Sequence, residues 1–230
     1  STQTVINNNK NINNSNNNRR HADNQLRAIT TETGTLHRAD GSAKFQYDCT
    51  KVLVGCFGPV DVNSREELID RAFIQIVFET CNSKRVLFDA EIENFVKLCV
   101  EEAIQSHVYP RTSIKLNCQV FENDGCVLDA TVNAACLALM DAGVSMRHLV
   151  VAASCAVNVD GTLRLNPTTA DEKIAKGLLT VAFNSKLDNI VAMTCIGSIE
   201  TNELFDAIEL CRTACSKILG LFRCVHELRI

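Results

Sequence analysis

The sequence has no tryptophan, only two tyrosines, and 5% aromatic residues overall. It also lacks a surplus of positive charge: the net charge is −4, and because residues 1–24 carry a net +2, residues 25–230 carry −6. Proteins that bind single-stranded nucleic acid by themselves combine a positively charged groove with aromatic side chains that stack on the bases. An autonomous nucleic-acid-binding module is therefore the class that this composition supports least.

Long apolar runs and metal-binding cysteine patterns are missing as well. No run approaches the roughly 18 apolar residues of a membrane span, and the N-terminus has no apolar signal-peptide segment. We therefore expect an intracellular protein without membrane contact. The 12 cysteines form no CxxC pair and the five histidines have no zinc-ligand spacing. We expect buried, reduced thiols, no metal and no cofactor.

The first 24 residues differ in composition from the rest of the chain. Residues 7–18 read NNNKNINNSNNN, a low-complexity tract that is too polar to form a core. We predict that residues 1–24 form a disordered Asn-rich tail. A globular pattern begins at Gln25, and we predict one domain over residues 25–230.

Hydrophobic periodicity predicts several strands in this domain. Lys51–Val62 and Ala72–Thr80 are β-rich and apolar, and Thr112–Glu122 alternates in the manner of a half-buried strand. Leu149–Asn158 is apolar on both faces, which predicts a strand buried beneath helices. A short strand ending at Leu165, the polar loop NPTTADE and a hairpin of TVAFNS with NIVAMTCIGS complete the pattern.

Three segments have helical spacing of apolar residues. Asp89–Ile104 is predicted as a helix with Asp89 as its N-cap, and Asp129–Ala142 as a second helix that Gly143 ends. Glu203–Leu228 is a long amphipathic helix. Runs of strands with intervening helices predict an α+β fold of two βα halves.

Five stretches carry a resemblance to a known family through their order and spacing. They are ADGSAKF, TKVLVGCFGPVDV, YPRTSI, VNAACLALMDAG and DGTLRLNPTTADE. Together, over about residues 25–228, they resemble the RNase PH superfamily and, within it, the ring subunits of the eukaryotic RNA exosome. The resemblance implies an α+β, RNase PH-like domain of two βα halves with mixed sheets and a long C-terminal helix. It also implies a ring of six such subunits through which RNA passes.

Active members of that superfamily degrade RNA from the 3′ end by phosphorolysis, and the resemblance locates their phosphate pocket at the turn of Gly125. In active members this turn continues with Gly, then Ser or Thr, then Arg; this chain has Cys126, Val127 and Leu128. Aliphatic side chains donate no hydrogen bond. Asp129 follows, and a carboxylate at a helix start caps the helix well but repels phosphate. The resemblance therefore implies a degenerate phosphate pocket.

The metal site that the resemblance implies is also degenerate. Active members have two aspartates six residues apart, and Asn166 and Glu172 stand at the matching positions. An amide oxygen and a longer carboxylate, with Asp171 as a substitute, would make at most a weak site.

Basic residues for RNA are few. Active members carry several arginines between the second strand and the first helix, and this chain has Lys84 and Arg85 there. These two, with Arg111 of YPRTSI, are the possible RNA contacts. Solvated loop charges, and for Arg111 a structural ion pair, are the simpler interpretations.

The resemblance and the degenerate pocket favour a non-catalytic, structural subunit of the exosome core ring that supports 3′-to-5′ RNA processing by channelling RNA to a separate nuclease. Its expected partners are other RNase PH-type ring subunits, cap subunits with RNA-binding domains, an associated hydrolytic nuclease, and the RNA in the channel. Expected residence is the nucleus, nucleolus and cytoplasm. The alternative is an enzyme with residual phosphorolytic or metal-dependent 3′-to-5′ exoribonuclease activity, using Glu172 and Asp171.

Overall fold

A computed structural model gives the structure of the chain and describes residues 2–6, 25–62, 67–80 and 87–227. The strands in these ranges are β1 (Thr2–Ile6), β2 (Ile29–Thr33), β3 (Gly41–Tyr47), β4 (Thr50–Asp61), β5 (Phe73–Glu79), β6 (Thr112–Glu122), β7 (Val150–Val157), β8 (Leu163–Leu165), β9 (Gly177–Asn184) and β10 (Ile190–Gly197). The helices are α1 (Leu87–Ala103), α2 (Val127–Asp141), α3 (Thr169–Ile174) and α4 (Thr201–Glu227), with a 3₁₀ turn at Ser106–Val108.

The first sheet contains β1 to β6 in the order β1-β2-β3-β4-β6-β5. It is mixed, because β5 runs parallel to β6 while the other neighbours are antiparallel. A parallel pair needs a crossover, and α1 supplies it between β5 and β6. The sequence prediction for β6 is confirmed residue by residue, and its alternate apolar side chains are buried: Ile114, Leu116, Cys118 and Val120.

The second sheet has the order β10-β9-β7-β8 and is antiparallel throughout. All eight residues of β7 are buried, which confirms that this strand is covered on both faces. The hairpin of β9 and β10 and the long helix α4 are confirmed as well. No helix within the described ranges is long and apolar enough to cross a membrane.

Helix α2 is shared by the two sheets. The side-chain amide of Asn133 donates to the Tyr47 hydroxyl on β3 at 3.1 Å and to the Ala152 carbonyl on β7 at 3.0 Å. Ala134 and Ala138 are fully buried, and a Cβ on Gly41 of β3 would collide with the backbone of α2. The small residues thus let the helix lie directly against the first sheet.

The end of α2 is also as predicted. Gly143 has a positive φ of +68°, and its amide donates to the Met140 carbonyl while the amide of Val144 donates to the Leu139 carbonyl. These two bonds form a Schellman motif, in which glycine adopts the left-handed conformation at little cost.

The structure differs from the sequence predictions in two helical details outside α2. Asp89 is the third residue of α1 and not its N-cap, because Leu87 and Phe88 are already helical. The segment predicted as the polar loop NPTTADE contains the short helix α3, which a capping box begins: Asp171 accepts from the Thr168 amide, and Thr168 accepts from the Asp171 amide. Reciprocal capping of this kind stabilises even a very short helix.

The structure also differs at the N-terminus. Thr2–Ile6, inside the predicted tail, forms β1 and pairs with β2. Its β-branched residues favour a strand, and β2 offers an edge of unpaired backbone groups. The rest of the predicted tail lies outside the described residues, and the domain boundary at Gln25 stays a prediction.

Candidate functional site

The turn between β6 and α2 combines two residues with left-handed backbone. Gly125 has φ +85° and Cys126 has φ +58°, and the Gly125 amide donates to Oδ1 of Asn123 at 3.0 Å. A Cβ on Gly125 would lie 2.6 Å from the carbonyl oxygen of Pro167. Position 125 therefore requires glycine both for its conformation and for its contact with the segment that precedes α3.

The buried side chain of Arg27 supports this turn by hydrogen bonds to its backbone. Its guanidinium, 2% exposed, donates to the carbonyls of Asp124 at 3.0 Å and Gly125 at 3.4 Å and lies 3.6 Å from the Asp124 carboxylate. The Thr50 hydroxyl donates to the Gly125 carbonyl at 2.8 Å, and the Tyr47 ring lies against the guanidinium. Sequence reasoning missed Arg27, since nothing local marks a lone arginine whose contacts lie 97 residues away.

A carboxylate lies at the N-terminus of α2. Oε1 of Glu172 accepts the amide proton of Cys126, the N-cap residue, at 2.9 Å. Burial raises the pKa of Glu172, and this hydrogen bond partly offsets the effect. A negative charge is favourable at a helix N-terminus. Glu172 therefore places a carboxylate of this chain where the negative charge of a phosphate would otherwise be stabilised. Val127 and Leu128 follow in the first turn, without side-chain donors.

Asp129 is not the N-cap of α2, because the left-handed turn starts the helix two residues earlier, at Val127. Its side chain is fully buried, and neither carboxylate oxygen has a hydrogen-bond partner of ordinary geometry. Burial raises the pKa of Asp129 to about 7; the positive charge of Arg27, together with nearby donors of Ser154 and Ala130, keeps it from rising further.

The residues at the implied metal positions either make other contacts or are buried. Asp171 accepts from Arg164 at 2.7 Å and from the Thr168 hydroxyl at 2.7 Å, and Glu172 is bound to the turn. Asn166 has φ +57° and is 3% exposed, and its side-chain amide has no hydrogen-bond partner among the described residues. Within the described ranges, no group of three or more His, Cys, Asp or Glu side chains is placed to hold a metal ion.

The possible RNA contacts are not brought to this turn as a group. Lys84 and Arg85 lie outside the described residues. Arg111 has φ +59°, and its exposed side chain pairs with Glu67 at 3.4 Å. An exposed pair of this kind contributes little stability.

The chemistry available at the turn follows from these contacts. Three acidic side chains, Asp124, Asp129 and Glu172, surround one buried guanidinium whose donors face the turn carbonyls. Burial and the nearby Asp129 charge raise the pKa of the Cys126 thiol well above its usual value, so it remains protonated and is a poor nucleophile. The arrangement supports the turn structurally and is unfavourable for an additional anion.

A mixed sheet and an antiparallel sheet that share a buried helix, with a glycine turn at the N-terminus of that helix, define an RNase PH-like domain. Residues 25–145 match domain 1 of the 3′ exoribonuclease family, and residues 148–214 match its domain 2. The chain belongs to this family. The two matches meet directly after α2, between the two βα halves.

The relatives are exosome proteins. The chain is 33% identical over 150 residues to an "exosome complex exonuclease RRP46 homolog" of Arabidopsis thaliana, covering 65% of this chain and 63% of that protein. It is 31% identical over 161 residues to "exosome complex component rrp46" of Schizosaccharomyces pombe, covering 70% and 66%. The matches thus span just under two thirds of those relatives. The crystal structure of rice (Oryza sativa) Rrp46 superposes with a TM-score of 0.83 at 29% identity, covering 88% of this chain and 96% of that one.

Proposed function

We propose that the chain is a non-catalytic, structural subunit of an RNA exosome core ring. The names of the relatives support the exosome assignment. The hydrogen bond from the Cys126 amide to Glu172 at 2.9 Å supports the non-catalytic part. In the superfamily that the sequence resembles, phosphate is the attacking group, and here an internal carboxylate lies at the helix terminus that would attract it.

Two further features support exclusion of phosphate. Val127 and Leu128 leave the first turn of α2 without a hydroxyl or a guanidinium, the side chains that bind a phosphate strongly. A phosphate would also approach the Glu172 carboxylate, which carries the same sign of charge. The Nη1 and Nη2 groups of Arg27 do not compensate, since they already donate to the carbonyls of Asp124 and Gly125.

The proposed role is geometric. The chain would pair with other RNase PH-type subunits, support cap subunits with RNA-binding domains, and help to form a channel that delivers RNA to an associated hydrolytic nuclease. We propose residence in the nucleus, nucleolus and cytoplasm, which imaging of a fluorescently tagged chain tests.

The catalytic part is tested with purified protein, RNA labelled next to its 3′ end, magnesium and inorganic phosphate, beside an active RNase PH-type enzyme. We expect no release of nucleoside diphosphates. Release that Glu172→Ala abolishes would refute the non-catalytic assignment, provided that the variant has the circular dichroism spectrum of the unmodified chain.

The assembly part is tested by affinity isolation of the tagged full chain and mass spectrometric identification of stoichiometric partners. We expect other RNase PH-type subunits in equal amounts. Recovery of the chain without any of them would overturn the ring assignment, whatever the result of the RNA assay.

A further inference from the structure

Strand β10 forms an exposed edge of the second sheet. It pairs with β9 on one side and is the last strand of its sheet. Ile190 is 42%, Met193 46% and Ile196 50% exposed, and Cys195 and Gly197 are exposed as well. Because Gly197 has no side chain, its exposure is that of the backbone itself. The segments directly before and after the strand belong to the described residues, and they leave it accessible.

The register of the second sheet shows which backbone groups of β10 face this edge. Asn133 of α2 bonds both the amide and the carbonyl of Ala152 on β7, at 3.0 Å each, so Ala152 directs them away from β9. Because backbone direction alternates along an antiparallel strand, the even-numbered residues of β9 then bond to the even-numbered residues of β10. The Ser198 amide agrees, since it donates at 3.2 Å to the carbonyl that precedes β9. Met193 and Cys195 therefore direct their N–H and C=O groups to the free side, where no described residue pairs with them.

The side chains of Met193 and Cys195 lie on the sheet face that α4 covers at β9. Met193 stands opposite Val181 of β9, which is fully buried. The ring centroid of Phe183, on the same face of β9, lies 5.3 Å from the guanidinium carbon of Arg212 on α4. Opposite side chains in a sheet share a face, so α4 covers this face at β9 and leaves it accessible at β10.

Phe205 adds an aromatic wall to this accessible strip. It is 64% exposed and lies seven residues before Arg212, so the two side chains are on the same side of α4. Arg212 donates to the Leu187 carbonyl in the turn between β9 and β10 at 2.6 Å, which places that side of the helix toward the hairpin. We call Met193, Cys195 and Phe205 the β10 shelf. An accessible apolar surface beside an unpaired strand edge suits binding of a peptide by strand addition.

The sequence of β10 does not protect this edge from pairing. Residues 189–199 contain neither a charged residue nor a proline. Exposed edge strands usually carry lysine, proline or an inward-pointing charge, because these prevent association with another chain. A bulge lies between Ile190 and Ala192 at the start of the strand, and the pairing is regular from there to Gly197. The edge is therefore suited to receive a further strand.

The charges next to the shelf favour a basic occupant. Residues 200–209, at the start of α4, contain four acidic residues and no basic residue. Two cations, Lys176 and Arg212, pair with three of these acids. Asp206 is exposed and has no basic partner among the described residues. Four carboxylates against two cations leave a local negative charge, which attracts a lysine or arginine of a partner.

We propose that the edge of β10 binds an extended segment of a partner protein, with apolar residues at alternate positions and a lysine or arginine beside them. The segment pairs with the backbone of Met193 and Cys195, places its apolar side chains on the β10 shelf, and directs its cation to Asp206 and Glu209. This surface is separate from the turn at Gly125. The proposal therefore depends neither on the catalytic assignment nor on the ring assignment.

Two other occupants fit this edge less well. The phosphates of RNA would face the acidic start of α4, where like charges repel. A second copy of β10 would supply no cation, because residues 189–199 are uncharged.

The test is selection of phage-displayed random decapeptides on the full-length chain, followed by titration of the enriched peptides by fluorescence anisotropy. We expect peptides that alternate apolar residues and include Lys or Arg. Met193→Lys places a charge on the shelf and should weaken binding about tenfold or more. Val108→Lys, the same change at a residue of the 3₁₀ turn that is 49% exposed, should leave binding unchanged. Phe205→Ala, for which we expect about fivefold weaker binding, decides the matter if Met193→Lys does not fold.

Two further measurements distinguish strand pairing from contacts of side chains alone. Cys195→Pro removes an N–H that faces the free side and makes no bond to β9, and proline is tolerated in an edge strand in this orientation. We expect this variant to keep the circular dichroism spectrum of the unmodified chain and to bind the peptide about tenfold more weakly or worse. In hydrogen exchange, we expect the Met193 and Cys195 amides to exchange rapidly in the free chain and slowly in the complex.

Several results would overturn the proposal. Selection of no peptide or of acidic peptides would do so, as would unchanged binding by Met193→Lys, Phe205→Ala or a folded Cys195→Pro. Slow exchange of the Met193 and Cys195 amides in the free monomer would show that the edge is closed. A dimer of the free chain that Met193→Lys separates would assign the edge to a second copy, and single-stranded RNA that displaces the selected peptide would assign it to nucleic acid.

Discussion

Replacing Asp129 by Asn should stabilise the protein in mildly alkaline solution. Asp129 is fully buried under the turn, and neither of its carboxylate oxygens has a hydrogen-bond partner of ordinary geometry. Ionisation of a buried carboxyl is unfavourable unless partners compensate for the lost water. Arg27 compensates in part only, because burial still raises the pKa of Asp129 from 3.8 to about 7.

The size of the effect follows from this pKa. Each factor of ten in a protonation equilibrium corresponds to about 1.4 kcal/mol, so ionised Asp129 costs the folded state about 4 kcal/mol relative to the unfolded chain. The unfolded chain loses this proton near pH 4 and the folded chain near pH 7. The free energy of unfolding therefore falls as the pH rises from 4 to 7, and the full cost is present above pH 7. The raised pKa of Glu172 acts in the same direction.

The assay is urea unfolding of the unmodified chain, Asp129→Asn and the exposed control Asp160→Asn at pH 5 and pH 8. We expect Asp129→Asn to be more stable than the unmodified chain by about 2–4 kcal/mol at pH 8, less than the full cost because a buried amide also needs partners. At pH 5 we expect a small loss, and the control should match the unmodified chain throughout. An Asp129→Asn variant that keeps the full pH dependence, or loses stability at pH 8, would refute the reasoning.

Other substitutions at the turn have expected outcomes in the same unfolding assay. Arg27→Met leaves buried carbonyls and a buried carboxylate without their guanidinium, and we expect a loss of about 3–5 kcal/mol. Gly125→Ala forces a Cβ against the Pro167 carbonyl at φ +85°, and we expect the free energy of unfolding to fall by about 1–3 kcal/mol. An unchanged urea midpoint would contradict this backbone geometry. Glu172→Ala removes the acceptor for the Cys126 amide, and we expect a loss of stability of about 1–2 kcal/mol. Glu172→Gln keeps an acceptor oxygen and should lose less stability.

The parts of the fold that sequence reasoning predicted are those with strong local signals. Strand β6 has strict alternation between Pro110 and Asn123, and its bounds were predicted to the residue. Strand β7 is a continuous apolar run, and Gly143 ends α2 with the conformation that only glycine adopts easily. In each case neighbouring residues along the chain carry the physical cause.

The candidate site was harder to predict because its contacts join distant segments. Arg27 and Glu172 reach the turn from 97 and 46 residues away, and no local pattern reports such a contact. Asp129 illustrates a second reason. Aspartate is a preferred N-cap, but the left-handed pair at Gly125 and Cys126 starts the helix earlier and carries Asp129 into the core.

Helix α2 has a consequence for how the chain can be divided. By sequence it is the last element of the family's first domain, which ends at residue 145, yet Asn133 bonds both sheets and β7 depends on cover from helices. A cut between residues 145 and 148 would give one piece with a bare helix face and one with a bare sheet. We expect such pieces to associate with each other rather than persist as separate proteins. The boundary between the family's two domains is therefore a suitable split site for a split-protein reporter.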